Sequence, residues 1–349
     1  MSAASGTRRE RFANKRLLLA AAVAALLLIA AIIAALAIGR FPISPGDIAA
    51  IVWAKFTGGA HGLPATAETV LFQIRGPRVI AALMVGAALA AAGAAYQNLF
   101  RNPLVSPDIL GVSSGAALGA TLGIFLSLDL WWIQGFAFAF GLGAVAAVYF
   151  IGQAVRGHDP ILVLILAGVV IGALLGSVLA LLKYLADPYN QLPAITFWLL
   201  GSLAATNPAD IATTFVPVLL GLVPLWLLRW RMNLMALGDE EAKALGINVT
   251  RLRLAVIAAA TLMTAAVVSI SGIVGWIGLL VPHFARLLAG PNFARLLPVS
   301  VLLGAAFLLL VDTLARTVSR IEVPLGVLTA FIGTPFFIWL LATARRSWQ

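Results

Sequence analysis

The sequence predicts an all-α, polytopic membrane protein with about ten transmembrane helices and one short extramembrane helix between two of them. Three observations predict it. Hydrophobic residues fill 62% of the 349 positions and charged residues 10%, and mean hydropathy is +1.04, outside what one aqueous core can hide. Apolar runs commonly reach 18 residues, the length that carries a helix rising 1.5 Å per residue across ~30 Å of hydrocarbon. Segments of about ten residues with strict in–out alternation, the mark of a membrane barrel, do not occur.

The first element follows Arg8, Arg9, Arg11, Lys15 and Arg16 and is the apolar run Leu17–Ile38, 22 residues long. A cleaved leader carries an apolar core of only ~7–15 residues, so this run reads as a retained span. Residues 1–16 are then a tail, and 17–349 one membrane domain. The same criterion gives further spans at 79–99, 108–127, 131–154, 161–185, 210–228, 252–270, 273–289, 297–314 and 325–343. Leu192–Ala204 is apolar but too short to cross, so it reads as a re-entrant or interfacial helix. Gly86, Ala90 and Ala94, and likewise Gly168, Gly172 and Gly176, recur every four residues. Such small-residue stripes let backbones approach closely, within the bundle or at a dimer contact.

An even number of spans with the N-terminus inside places 16 of the 23 lysines and arginines on the cytoplasmic side and 7 outside. Both termini are therefore expected in the cytoplasm. The net charge of +10 follows from this loop bias and implies no nucleic-acid partner.

On that topology the loop 232–250, containing "MALGDEEAKALGINV", faces the cytoplasm. Gly238 breaks the preceding helix. Asp239, Glu240 and Glu241 put negative charge at the positive end of a helix dipole, and Gly246 suits a left-handed cap. About two turns, roughly 10–12 Å, lie between. Isolated helices below ~12 residues are marginal in water, so this is either a solvated loop helix or one that docks. Ala242, Ala244, Leu245 and Ile247 offer the apolar surface for docking.

Chemistry is scarce. There are no cysteines, hence no disulfides or thiolate metal sites, and His61, His158 and His283 are too scattered for a metal. No Gly-Lys pair exists to build a Walker A loop, and no H-E-x-x-H motif is present. The spans lack the polar chain of an ion-driven carrier. A transporter of this composition takes its energy from another subunit.

Three stretches resemble one family. "LGDEEAKALGINV" is similar to the coupling-helix loop of FecCD-type permeases, the membrane subunits of type II ABC importers for iron–siderophore, haem and vitamin B12 uptake. "RGPRVIAALMVGAALAAAGAAYQNLFRNPLVSPDILGVSSGAALGA" resembles their second and third spans. "GIVGWIGLLVPHFARLLAG", "DTLAR" and "EVPLGVLTAFIGTPFFIWLL" resemble their C-terminal region.

The resemblance implies a homodimer with the pathway between two copies, two ABC ATP-binding subunits beneath, and a periplasmic binding protein above. It assigns ATPase coupling to Gly238, Asp239, Glu240, Glu241, Ala242, Leu245 and Gly246. Binding-protein docking falls to Arg75, Arg78 and Arg316, with interfacial snorkelling as the alternative role. Asp312, four residues before Arg316, is expected to pair with it along the helix. A cytoplasmic gate maps to Asn102, Pro103 and Leu104, where the prolines make an ordinary rigid turn equally well, and to Ile161 and Leu162. Arg251 and Arg253 read as positive-inside anchors, and His283 as a hydrogen-bonded helix-end residue.

No metal or cofactor is implied for this chain; ATP and Mg belong to the ATPase partner. The implied cargo is an iron chelate (siderophore or haem) or cobalamin, delivered across the bacterial inner membrane. A molybdate-like oxyanion is the alternative within ABC importers, and an ion-coupled secondary transporter the alternative outside them.

Overall fold

Helix α4 (Gly76–Leu99) runs through the middle of the molecule, and its sequence explains why. Small residues dominate it, so neighbouring backbones approach from all sides: 78% of its apolar window, taken with the helical lead-in from Ala65, is buried. The computed structural model describes residues 3–59, 62–155 and 157–344; Arg156, Arg345 and Arg346, counted in the charge bias, lie outside them.

Fourteen α-helices are found among the described residues, and no strand. They are α1 (Ala3–Ala37), α2 (Pro45–Thr57), α3 (Ala65–Thr69), α4, α5 (Val112–Phe125), α6 (Leu130–Ala154) and α7 (Pro160–Leu185). There follow α8 (Gln191–Leu200), α9 (Pro208–Met235), α10 (Asp239–Ala244), α11 (Val249–Ser271), α12 (Ile277–Ala289), α13 (Phe293–Thr317) and α14 (Leu325–Ala344). Seven helical stretches are long and apolar enough to span by themselves. The shorter apolar α5, α12 and α14 occupy the three remaining predicted spans, and α8 is the expected short helix.

Helices α11 and α13 join α4 at the centre, with 72% and 56% of their apolar windows buried. Helices α1, α7 and α9 are only 17% buried and form the periphery. Close approach is literal between α4 and α13: a Cβ on Gly86 would stand well inside contact distance of the Gly304 carbonyl, and one on Gly304 would do the same to Gly86. The Gly86–Ala90–Ala94 stripe is thus internal packing. The α7 stripe divides. Gly168 abuts the Ile109 carbonyl within the molecule, whereas Gly176 faces open space.

Three features differ from the sequence expectation. The first helix continues back to Ala3, so the N-terminal tail is an extension of the span. Helix α2, capped by a reciprocal Ser44–Asp47 box, lies in a stretch that hydropathy leaves blank. It buries Ile51 against Ala67 and Leu71. The predicted span 273–289 is helical only from Ile277. Thirteen residues reach about 20 Å, and the extended segment before them carries Gly272 at φ 66° and Trp276 at φ 72°.

That irregular backbone is satisfied by a main-chain seam. The Ser202 N–H donates to the Ser271 carbonyl at 2.8 Å, and the Leu325 N–H to the Gly201 carbonyl at 3.0 Å. Non-helical chain inside a bilayer persists only where its polar groups are paired in this way. The seam joins the ends of α8 and α11 to the start of α14 and defines one end of the molecule. Helix α10 and the α4–α5 turn lie at the other.

Candidate functional site

At the α10 end, α9 stops at Met235 and the chain turns through Gly238, whose φ of 135° and ψ of 161° suit glycine alone. Six residues of helix follow. The terminus closes with the Gly246 N–H on the Lys243 carbonyl (2.9 Å) and the Ile247 N–H on the Ala242 carbonyl (3.0 Å). With Gly246 at φ 83° this is a Schellman cap, the left-handed stop expected from the sequence.

The helix has an inner and an outer face. Ala242 is fully buried against the core, so its assignment to an ATPase-facing surface is corrected: a methyl group with no exposed area touches no partner. Asp239 accepts from the buried Arg253 guanidinium at 2.7 Å, which pins the start of α10 to α11. Arg253 is therefore a strut for this helix rather than a bare membrane anchor. Ile247 packs on the core. Outward face Glu240, Glu241 and Ala244, with Leu245 at 58% exposure and Leu237 at 59%. Sequence reasoning missed Leu237; an apolar residue directly before a helix-breaking glycine in a polar loop was the signal.

The α4–α5 turn lies at the same end. The Asn102 N–H returns to the Gln97 carbonyl at 3.1 Å, and the Asn102 side chain accepts from the Leu104 N–H at 2.9 Å. Asn102 and Leu104 are exposed and Pro103 half-buried. Behind them Gln97 donates to the Leu279 carbonyl (3.1 Å) and accepts from Arg286 (2.9 Å), tying the turn to α12. Ile161 packs on the core, its N–H capped by Asp159 at 2.8 Å. Leu162 is half exposed and lines a groove with Val155, just past the end of α6, and Leu166 on α7. His283 contacts the Phe336 ring, and its Nδ1 is buried without a hydrogen-bond partner, unlike the bonded helix-end histidine expected. Gly111–Gly115 spells G-x-S-x-G, but it opens a helix after a 3₁₀ turn and Ser113 donates to Asp108, which is not the strand-to-helix elbow of a hydrolase.

At the seam end the structure corrects the docking arginines. Arg75 is 4% exposed, and its guanidinium donates to the Leu36, Ala37 and Phe41 carbonyls at the end of α1. Arg78 is 8% exposed. It grips Asp312 through Nε (3.0 Å) and Nη2 (2.9 Å), and Glu322 through Nη1 (2.8 Å) and Nη2 (3.0 Å). With their donors turned inward, Arg75 and Arg78 hold α1, α4, α13 and the α13–α14 turn together and present no free charge. Arg316 pairs with Asp312 at 3.3 Å, as expected from their spacing, and donates to the Ala35 carbonyl. It also borders an open surface concavity of ≈ 700 Å³ with Arg40, Ser319 and Arg320. Arg40 and Arg320 are exposed, and Arg40 donates to the Arg320 carbonyl.

Beside the seam, α8, the 272–276 segment and α14 border an open apolar groove of ≈ 670 Å³ lined by Leu199, Trp276, Val327, Phe331 and Thr334. Within the described residues no cluster of His, Asp or Glu could hold a metal ion.

Short capped helix, buried strut, broken span and seam extend through nearly the whole chain, and so does one family model. The model described as the FecCD transport family matches residues 26–343. The chain belongs to the FecCD transport family. Among its relatives is the molybdate import system permease protein MolB of Haemophilus influenzae, 42% identical over 89% of this chain and 92% of that protein. A probable iron chelatin transport system permease protein of Helicobacter pylori is 42% identical over 79% of this chain and 83% of its own length. A solved structure described as an inward-facing metal-chelate type ABC transporter superposes with a TM-score of 0.83 at 39% identity, covering 93% of this chain and 98% of that one. As a FecCD protein the chain is an integral membrane permease of an ABC importer.

Proposed function

We propose that this FecCD permease pairs with a second copy of itself, is driven by two ABC ATP-binding subunits docked on α10, and imports an iron chelate handed over by a periplasmic binding protein. The observation that carries the reading is the two-sidedness of α10. Its inner face is locked by Ala242 and the Asp239–Arg253 pair, while Glu240, Leu237 and Leu245 project outward. A helix fixed to the body from within, with exposed carboxylates between two flanking exposed leucines, suits the transmission of force from a docked partner. The α10 end is then cytoplasmic, as are both termini, in the bacterial inner membrane. ATP and Mg act on the partner, and this chain binds no cofactor.

The binding protein meets the seam end, where Arg40 and Arg320 are exposed beside Arg316, while Arg75 and Arg78 are buried. Exposed charges of this kind steer encounter and set orientation.

The test is uptake per ATP hydrolysed in proteoliposomes holding the whole importer. Glu240→Ala with Leu245→Ala should uncouple hydrolysis from uptake while the permease stays folded; unchanged substrate-stimulated uptake would refute the role of α10. A second reading, molybdate import, is favoured by the MolB likeness, which extends over 89% of this chain. Parallel uptake of a ferric chelate and of molybdate with the cognate binding protein separates the two.

A further inference from the structure

Helix α9 carries an apolar stripe that the molecule does not cover. Val216, Leu220, Val223, Leu227 and Trp230 are all exposed and follow one another at spacings of three and four, so they line one face. From Val216 to Trp230 the stripe runs about 21 Å at 1.5 Å per residue, more than the ~15 Å of hydrocarbon in one leaflet. Acyl chains cover a face of this kind without further help. Its end is chemically different. There the Arg229 guanidinium lies 4.3 Å from the centroid of the exposed Trp226 ring and 5.9 Å from that of Trp230. Its Nη1 donates to the Trp226 carbonyl at 2.6 Å, and Arg231, two residues on, is exposed.

A snorkelling arginine ordinarily sweeps its charge through the headgroup layer and gives up rotamer freedom to hold any one anion. Two indole faces and a carbonyl already fix this one. Neither contact neutralises it, because a ring quadrupole and a carbonyl dipole attract the cation without carrying net charge. Among the described residues Arg229 forms no ion pair, and the sequence holds no carboxylate between Asp210 and Asp239. Two uncompensated positive charges, one of them an oriented planar fork, thus stand where an apolar stripe reaches the edge of the bilayer. A phosphodiester carrying acyl chains matches the fork, the charge and the stripe together. A soluble anion would use the cations and leave the stripe idle, and so would an acidic protein segment.

We propose that Trp226, Arg229, Trp230 and Arg231 form a binding site for one anionic phospholipid, with its phosphate on the Arg229 guanidinium and its chains along the α9 stripe. The site requires neither the coupling role of α10 nor a particular orientation of the chain across the membrane.

The test is lipid titration of the full-length permease, stripped of lipid in detergent, with bound molecules counted by native mass spectrometry. Phosphatidylglycerol and phosphatidylcholine of the same chain length are compared. The parent is expected to prefer phosphatidylglycerol by about 25-fold, about fivefold for each of two basic residues at an anionic phosphate. Arg229→Gln should lower that preference about fivefold. Its contacts all lie within α9, so the change spares the fold, which an unaltered thermal transition verifies. Trp226→Leu with Trp230→Leu keeps both charges but frees the guanidinium, and should weaken phosphatidylglycerol binding about 2- to 5-fold. Arg251→Gln, which removes an exposed cation from α11 at the same end of the molecule, should change nothing.

The proposal is overturned if the parent binds both lipids alike, or if Arg229→Gln leaves the preference intact. It also fails if Arg251→Gln costs as much as Arg229→Gln, or if the double leucine variant binds as the parent does, since diffuse surface charge would then explain the binding. Inorganic phosphate in excess is the last arm. Bound phosphatidylglycerol should persist in it; if phosphate empties the site, the site takes a free anion and the lipid assignment is wrong.

Discussion

Replacing Asp312 by alanine tests the charge cluster at the seam end most severely. Asp312 is wholly buried. It accepts from Arg78 Nε and Nη2 at 2.9–3.1 Å and lies 3.3 Å from Arg316. The four groups Arg78, Arg316, Asp312 and Glu322 balance in charge, so removing Asp312 strands a cation between helices. Breaking a buried pair from one side costs about 3–5 kcal/mol, much of it from the charge left behind. Glu322 also bonds Arg78, but its side chain is 34% exposed, and Glu322→Gln should cost about 1 kcal/mol or less. The double variant Arg78→Met, Asp312→Leu removes one charge of each sign and should recover about 2 kcal/mol of the loss, within the usual range for contacting residues. Reversible unfolding in mixed micelles or bicelles measures all three. Equal losses from Asp312→Ala and Glu322→Gln, or no recovery in the double variant, would refute the argument, because the cluster would then behave as a screened surface network.

Other outcomes follow from the same packing and exposure. Gly86→Leu drives a side chain into the Gly304 carbonyl and should cost about 1–3 kcal/mol or abolish folding, while Gly176→Leu, facing open space, should leave unfolding unchanged. Gly246→Val at φ 83° should destabilise the α10 cap by about 1–2 kcal/mol, seen as faster amide exchange at Ile247 with the global transition barely moved. Arg40→Glu with Arg320→Glu should slow binding-protein association about tenfold or more at low salt, an effect that fades as salt screens it. Arg75→Ala should instead lower thermal stability with little change in association rate.

Much of this was legible from the residues. Hydropathy located the spans because each is a local property of about twenty residues. The charged stretch 238–246 announced a helix because caps and dipole partners are also local. What could not be read was which partner a cation finds. Arg75 and Arg78 sit near a span end, where a sequence shows the same pattern whether the guanidinium meets headgroups, a partner's carboxylate, or Asp312 some 234 positions away. Ala242 posed the same problem on a smaller scale, since helical spacing puts it on a face but does not say which face is inward. Helix α2 escaped because its 13 residues, interrupted by Asp47 and Lys55, fall short of the apolar length that marks a span. The break before Ile277 escaped because its residues are as apolar as a helix would need.

The seam at Gly201, Ser271 and Leu325 constrains sequence as well as structure. Its path demands glycine, since a Cβ on Gly201 would press on the Ile273 carbonyl and one on Gly272 on the Trp198 carbonyl. The side chains of Val327, Phe331 and Thr334 in the adjacent groove take no part in these main-chain bonds, so the seam and the surface chemistry of the groove beside it are set by different residues.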